Sequence, residues 1–164
     1  MNIAIDVSPL ESGHKVRGVG FYLKHLQSAL VEYFPDNKYT FFTKKEEIPQ
    51  EIDIIHYPYF DPFFLTLPIK KQAKTVVTVH DLTPLVFPEA FPAGLKGKLR
   101  WQIQKQALKH IDQIITDSEA SKKDIIHLAG VRKDKVHVVY LAAGEEFKQL
   151  EIRNLKLEME KKFD

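Results

Sequence analysis

A chain of 164 residues fits one domain with a proper core, since a domain of this size buries about 70% of its unfolded surface, and it leaves little room for two. Its 24 basic and 22 acidic residues nearly cancel to +2, which removes the electrostatic case for nucleic acid as the main partner. The absence of cysteine excludes disulfides, thiolate metal sites and a cysteine nucleophile, and is compatible with a reducing compartment.

Met1 leads straight into Ile3-Ala4-Ile5, with no basic segment and no apolar stretch of secretory length. No run approaches the roughly 20 apolar residues of a membrane span. The expectation is a soluble, cytoplasmic protein, with loose attachment to a membrane face left open. Asn2 to Val7 reads as a short apolar strand, and Ser8 to Arg17, with Pro9 and Gly13, as a polar loop. Gly18-Val19-Gly20 then opens a helix. Its positions Val19, Tyr22, Leu23, Leu26, Ala29, Leu30 and Tyr33 follow the spacing of one buried helical face, Lys24, Gln27 and Glu32 take the wet side, and Pro35 ends it.

Tyr39 to Thr43 and Ile52 to Tyr57 read as two further strands, separated by the charged stretch Lys44 to Glu51. Pro58 to Lys71 holds three prolines and the aromatics Tyr59, Phe60, Phe63 and Phe64, which predicts an irregular or briefly helical connection with an exposed aromatic surface. Thr75 to Val79 lacks period-2 alternation, as suits a parallel strand covered on both faces, and Pro84 stops regular pairing. After a second proline-punctuated loop, with Phe87-Pro88-Glu89 and Phe91-Pro92, a long helix is predicted from about Leu95 to His110, with Leu99, Ile103 and Ala107 as its inner stripe.

Gln113 to Thr116 is the next strand. Ser118 begins a helix, where its hydroxyl can accept from a first-turn amide, and Gly130 closes it. Val136 to Leu141 is the last strand. The order β-α-β-β-β-α-β-α-β indicates a doubly wound, mostly parallel, Rossmann-like α/β sheet over residues 1–149. Leu150 to Asp164 reads as the opening of another helix, with Leu155, Met159 and Phe163 on one stripe. A charged amphipathic segment has to lay its stripe against something, so these residues are expected to lead toward a missing second domain.

His80 and Asp81 follow the central strand, and open α/β sheets bind ligands just outside the carboxyl ends of their strands. With a strand order of 3-2-1-4-5-6, the first and fourth strands adjoin and a crevice opens between their loops. That order brings Arg17, Gly18 and Gly20, at a helix start, opposite His80. Bare amides at a helix N-terminus seat a phosphate, and Arg17 can add a charge-assisted contact; simple helix-start geometry explains the two glycines equally well. His80 can donate to a sugar hydroxyl or shift protons. Asp81 can orient it, act as a base, or cap the turn into Leu82. Ser118 and Glu119 top the fifth strand as a possible cleft pair, although an N-cap followed by a first-turn acid describes them more simply.

There is no Gly-x-Ser-x-Gly elbow and no Walker-type loop, and the seven histidines never fall in a metal-binding helical spacing. No metal is expected. A nicotinamide-dependent oxidoreductase is one alternative. Against it, the third position of the dinucleotide fingerprint is Leu23, the loop before the helix has ten residues, and the second strand ends in Thr43-Lys44-Lys45 instead of a ribose-binding acid. Another alternative is a non-catalytic binding module that grips a partner through the aromatic loop 57–67, with Phe63 and Phe64 as its contacts.

Asp6-Val7-Ser8-Pro9-Leu10, Arg-Gly-Val-Gly-Phe-Tyr-Leu at 17–23 and Val-His-Asp-Leu-Thr-Pro-Leu at 79–85 occur in order with Phe87-Pro88-Glu89, Ile-Thr-Asp-Ser-Glu-Ala-Ser at 115–121 and Val-His-Val-Val-Tyr-Leu-Ala-Ala-Gly at 136–144. In this set the chain resembles the N-terminal half of retaining GT-B glycosyltransferases of family 4 (group 1), especially mannosyltransferase-like members. The resemblance implies two facing Rossmann-like domains, of which this is the acceptor-side one, inactive without its C-terminal partner domain. It implies hexosyl transfer, with retention and without metal or cofactor, from a nucleotide sugar such as GDP-mannose to a carbohydrate or lipid-linked acceptor hydroxyl. Gly18 and Gly20 would approach the donor diphosphate, His80 would contact the donor sugar, and Asp81, Ser8 and Arg17 would lie on the acceptor side.

Overall fold

The computed structural model describes residues 1–144; the expected helix over 150–164 and the boundary at 149 lie outside them. Six strands, β1 (Asn2–Asp6), β2 (Lys38–Phe42), β3 (Ile54–Tyr57), β4 (Lys74–Thr78), β5 (Gln113–Thr116) and β6 (Val136–Val138), form one sheet in the order β2-β1-β3-β4-β5-β6. Every pairing in it is parallel. The helices are α1 (Gly18–Tyr33), the short α2 (Thr83–Val86), α3 (Gly94–His110) and α4 (Glu119–Asp124), the last running into a π turn over Ile125–Ala129. The fold is the doubly wound α/β sheet that the alternation of elements indicates.

β4 behaves as its composition dictates. Val77, Thr78 and Val79 are consecutive, so their side chains alternate faces, yet all three are fully buried. Helices therefore cover both sides. Leu108, Ile111, Ile125 and Ala129 pack with Val77 and Ile114 on one face. On the other, Tyr22 of α1 reaches Thr78, hydroxyl to hydroxyl at 3.2 Å.

The strand order differs from the expected 3-2-1-4-5-6. β3 lies between β1 and β4, so the first and fourth strands do not adjoin, and the point where the winding reverses falls between β1 and β3. The physical reason is burial. β2 keeps an exposed Lys38 and Phe41 and suits an edge, whereas Ile55, His56 and Tyr57 are all buried and need neighbours on both sides. The stretch 43–53 carries no helix and passes back across β1.

Smaller differences concern helix faces. Residues 8–17 form two 3₁₀ turns, Ser8–Glu11 and Gly13–Val16, where a plain loop is expected. In α3 the buried residues are Gly97, Gln104 and Leu108, while Leu99 is exposed and Ile103 and Ala107 are half-buried. The inner stripe is thus rotated from the expected one. Gln104 is drawn inside because its amide oxygen accepts from the backbone of Thr66 and Leu67, at 3.0 Å each, and so anchors the irregular 58–71 connection. Tyr33 of α1 is also exposed. Ser118 and Gly130 cap as expected: the Ser118 hydroxyl accepts from the Ser121 amide, and Gly130 sits at φ 67, a left-handed geometry that glycine adopts without strain.

Candidate active site

The carboxyl ends of β1, β3, β4 and β5 bring together the ionisable residues of the chain's best motifs. His80 lies two residues beyond β4. The parallel register pairs Thr78 with Ile115, and carried two residues further it sets His80 beside Asp117. The His80 Nδ1 is 2.8 Å from the Asp117 carboxylate. A carboxylate only accepts, so Nδ1 carries the proton, and Nε2 is an acceptor on the neutral ring or a donor on the charged one. Nε2 is buried with no partner, although the side chain keeps 18% exposure. A ligand that engages Nε2 therefore requires a local shift of the residues packed around the ring.

α1 reaches this histidine across β3. Tyr22 meets the His80 ring edge-on, with ring centroids 4.9 Å apart. Burial, offset by the Thr78 hydrogen bond and assisted by the Asp117 charge, raises the Tyr22 phenol above its ordinary value. Thr78 bonds in turn to His56 Nε2 at 2.9 Å. Burial, with the neighbouring His80, pushes His56 down to about 4, so this second imidazole stays neutral and serves as a packed polar strut. α1 thus meets His80 through Tyr22, and not through adjacent first and fourth strands.

The two glycines at the helix start play different parts. A Cβ on Gly18, which is exposed, would meet nothing. A Cβ on Gly20 would strike the backbone carbonyls of His14 and Lys15, and the Gly20 amide donates to the Arg17 carbonyl at 2.9 Å. Close approach of the protein's own backbone accounts for Gly20. Gly18, whose first-turn amide no residue within the helix can satisfy, is the one open to a ligand.

Tyr59, after β3, forms a third corner. His14 packs on its ring at 4.5 Å, and its hydroxyl donates to Asp61 at 3.2 Å. Burial first, then Asp61, raises its phenol strongly; Arg17 opposes this and Asp81 adds to it. Arg17 and Asp81 thus lie within electrostatic reach of one phenol. One oxygen of Asp81 accepts from the Thr83 amide at 2.8 Å, which makes Asp81 the cap of the turn into α2, and the residue is exposed. It does not orient His80; Asp117 does.

Ser8 is turned inward. Its amide and hydroxyl both donate to the buried Asp6 carboxylate, and its oxygen accepts from the Lys44 amide at 2.9 Å. Beside them burial, then Asp6, pushes the Tyr57 phenol up to about 12. Ser118 is occupied as a cap, and Glu119 is exposed in the first turn of α4. Among the described residues no three His, Asp or Glu side chains gather closely enough to hold a metal ion.

Asp117, Tyr22 and Tyr59 escape a reading of the sequence for site residues. Asp117 is concealed because Asp-Ser before a helix looks like capping alone; the signal that would reveal it is the register of β4 against β5.

Residues 8–143 match the family model described as Glycosyltransferase Family 4. No curated protein matches the chain.

Proposed function

The chain belongs to glycosyltransferase family 4, and from that premise we propose that it supplies one wall of a cleft in which a hexosyl group passes from a nucleotide sugar to an acceptor hydroxyl. In this reaction the bond from the anomeric carbon to the phosphate oxygen breaks, a bond to the acceptor oxygen forms, and the acceptor proton must leave. The nucleotide is held by a second lobe that follows this one. Retention at the anomeric carbon and a mannosyl donor such as GDP-mannose are the finer form of this proposal, as is an acceptor that is a carbohydrate or lipid-linked.

The observation that carries it is the His80–Asp117 pair: an imidazole fixed through Nδ1 at the tip of a central strand, with Nε2 left unpaired. Once the residues packed around the ring shift, such an atom suits a hydroxyl of the donor sugar. The Gly18 amide and the Arg17 guanidinium suit the diphosphate. The second carboxylate oxygen of Asp81 suits the acceptor proton. Ser8 and Gly20 support the backbone beneath them instead of touching a ligand, and Ser118 caps the helix that follows Asp117.

A nicotinamide cofactor fits less well, because Leu23, at the third fingerprint position, is fully buried. The test is turnover of the protein made from the complete reading frame with a panel of nucleotide sugars, native against His80→Ala. The expected result is turnover with one donor and a loss of roughly a hundredfold or more in the variant. Native-like turnover in His80→Ala removes His80 from the site, and oxidoreductase activity in place of transfer overturns the reading.

A further inference from the structure

Helix α3 presents apolar side chains to solvent that the fold does not use. Leu95 and Leu99, one turn apart on the side away from Gln104 and Leu108, are 87% and 65% exposed. With Phe63, Leu85, Phe91 and Trp101, Leu95 lines an open groove of about 510 Å³. The exposed Phe64 extends it, held under the Arg100 guanidinium at 5.6 Å.

Charge says what covers this face. Residues 82–110 hold five bases, Lys96, Lys98, Arg100, Lys105 and Lys109, against the single acid Glu89, in a chain whose net charge is only +2. α3 itself contains no acid. Exposed leucines and aromatics ringed by lysine and arginine are the combination that settles into a lipid headgroup layer, and anionic headgroups attract such a segment. A second copy of the same face would bring like charges together.

We propose that the α3 face, with the loops carrying Phe64 and Phe91, docks on an anionic lipid bilayer. α3 starts where the connection from the carboxyl end of β4 arrives, so docking sets the His80 end of the sheet toward the membrane. The inference does not depend on the glycosyl-transfer reading, because its test follows partition and not turnover.

The test is sedimentation of the chain with phosphatidylcholine vesicles, with and without phosphatidylglycerol. Partition is expected only with phosphatidylglycerol and weakens as salt is raised. It falls roughly tenfold or more in the Leu95→Ser/Leu99→Ser variant, and about fivefold in each of Lys96→Glu and Lys98→Glu. These side chains are exposed, so circular dichroism of the variants stays native. Absence of partition with phosphatidylglycerol overturns the proposal, as does equal partition of the double serine variant. Concentration-dependent self-association that this variant abolishes also overturns it and assigns the face to a second copy.

Discussion

The two ends of the sheet use polar residues in opposite ways. At the amino end, each tie closes a structural gap. Asp53 receives the Asn2 amide at 2.7 Å and so joins β1 to β3, Asp112 receives the Thr75 amide at 2.7 Å and Lys71 at 2.8 Å, and Lys135 donates to the carbonyls of Lys109 and Ile111. At the carboxyl end lie the buried side-chain atoms without a partner among the described residues, His80 Nε2 and Thr116 Oγ1. A buried donor or acceptor left unpaired costs about 1–3 kcal/mol. One end of this domain is therefore built for stability, and the other accepts a cost and keeps bonding capacity in hand.

The largest expected effect is on acid stability, and it lies on the carboxyl side of the sheet. With its folded value near 4 against an ordinary value near 6.5, His56 binds its proton first in the unfolded chain. The two states are equal in this respect above about pH 6.5, and the folded state loses stability as the pH falls toward 4, by about 3 kcal/mol in all. Urea unfolding against pH should show this loss in the native protein and a flatter profile in His56→Gln. An unchanged profile would mean that the ring is not the neutral strut of the Thr78–Tyr22 chain.

Next in size is the contrast between the glycines. Gly20→Ala forces a Cβ against the His14 and Lys15 carbonyls and should cost about 2 kcal/mol. Gly18→Ala meets open space and should gain about 0.5 kcal/mol, yet lower turnover of a nucleotide sugar if its backbone faces the diphosphate. Equal stabilities of the two variants would erase the division drawn between them.

Thr116→Val removes an unpaired buried hydroxyl at nearly constant volume and should stabilise the fold by about 1 kcal/mol. A loss would show that the hydroxyl has a partner after all. The smallest change is expected at the amino end. The Asp112 carboxyl, which burial alone would raise, is held below its ordinary range by Lys71 and the Thr75 amide. The pair is well exposed, so Asp112→Asn should cost only about 0.5 kcal/mol in thermal unfolding. A loss several times larger would mean that the amino end, too, contains a strained or critical site.

Legibility in the sequence follows how local the controlling physics is. β4 could be read because a β-branched run covered on both faces has few other uses, and the Ser118 and Gly130 caps because capping involves neighbours in the chain. The sheet order is not legible: whether β3 lies outside β2 or beside β1 depends on which strand needs two neighbours, and that shows only in burial. The α3 stripe is not legible because Leu99, Ile103 and Ala107 satisfy helical spacing as well as any core set, while the buried Gln104 does not look like a core residue. The place of His80 at a strand tip is legible from the apolar run before it; its partner is not, since Asp81 adjoins it in sequence and Asp117 only in register. The same locality explains Gly20, whose constraint comes from backbone that folds over it.

The account turns on which nitrogen of His80 is committed to the protein. Long-range ¹H–¹⁵N spectra of the chain at mildly alkaline pH report the tautomer of the neutral ring directly. The prediction is a proton on Nδ1 in the native protein, with a shift toward Nε2 in Asp117→Ala; a native ring protonated on Nε2 would contradict it.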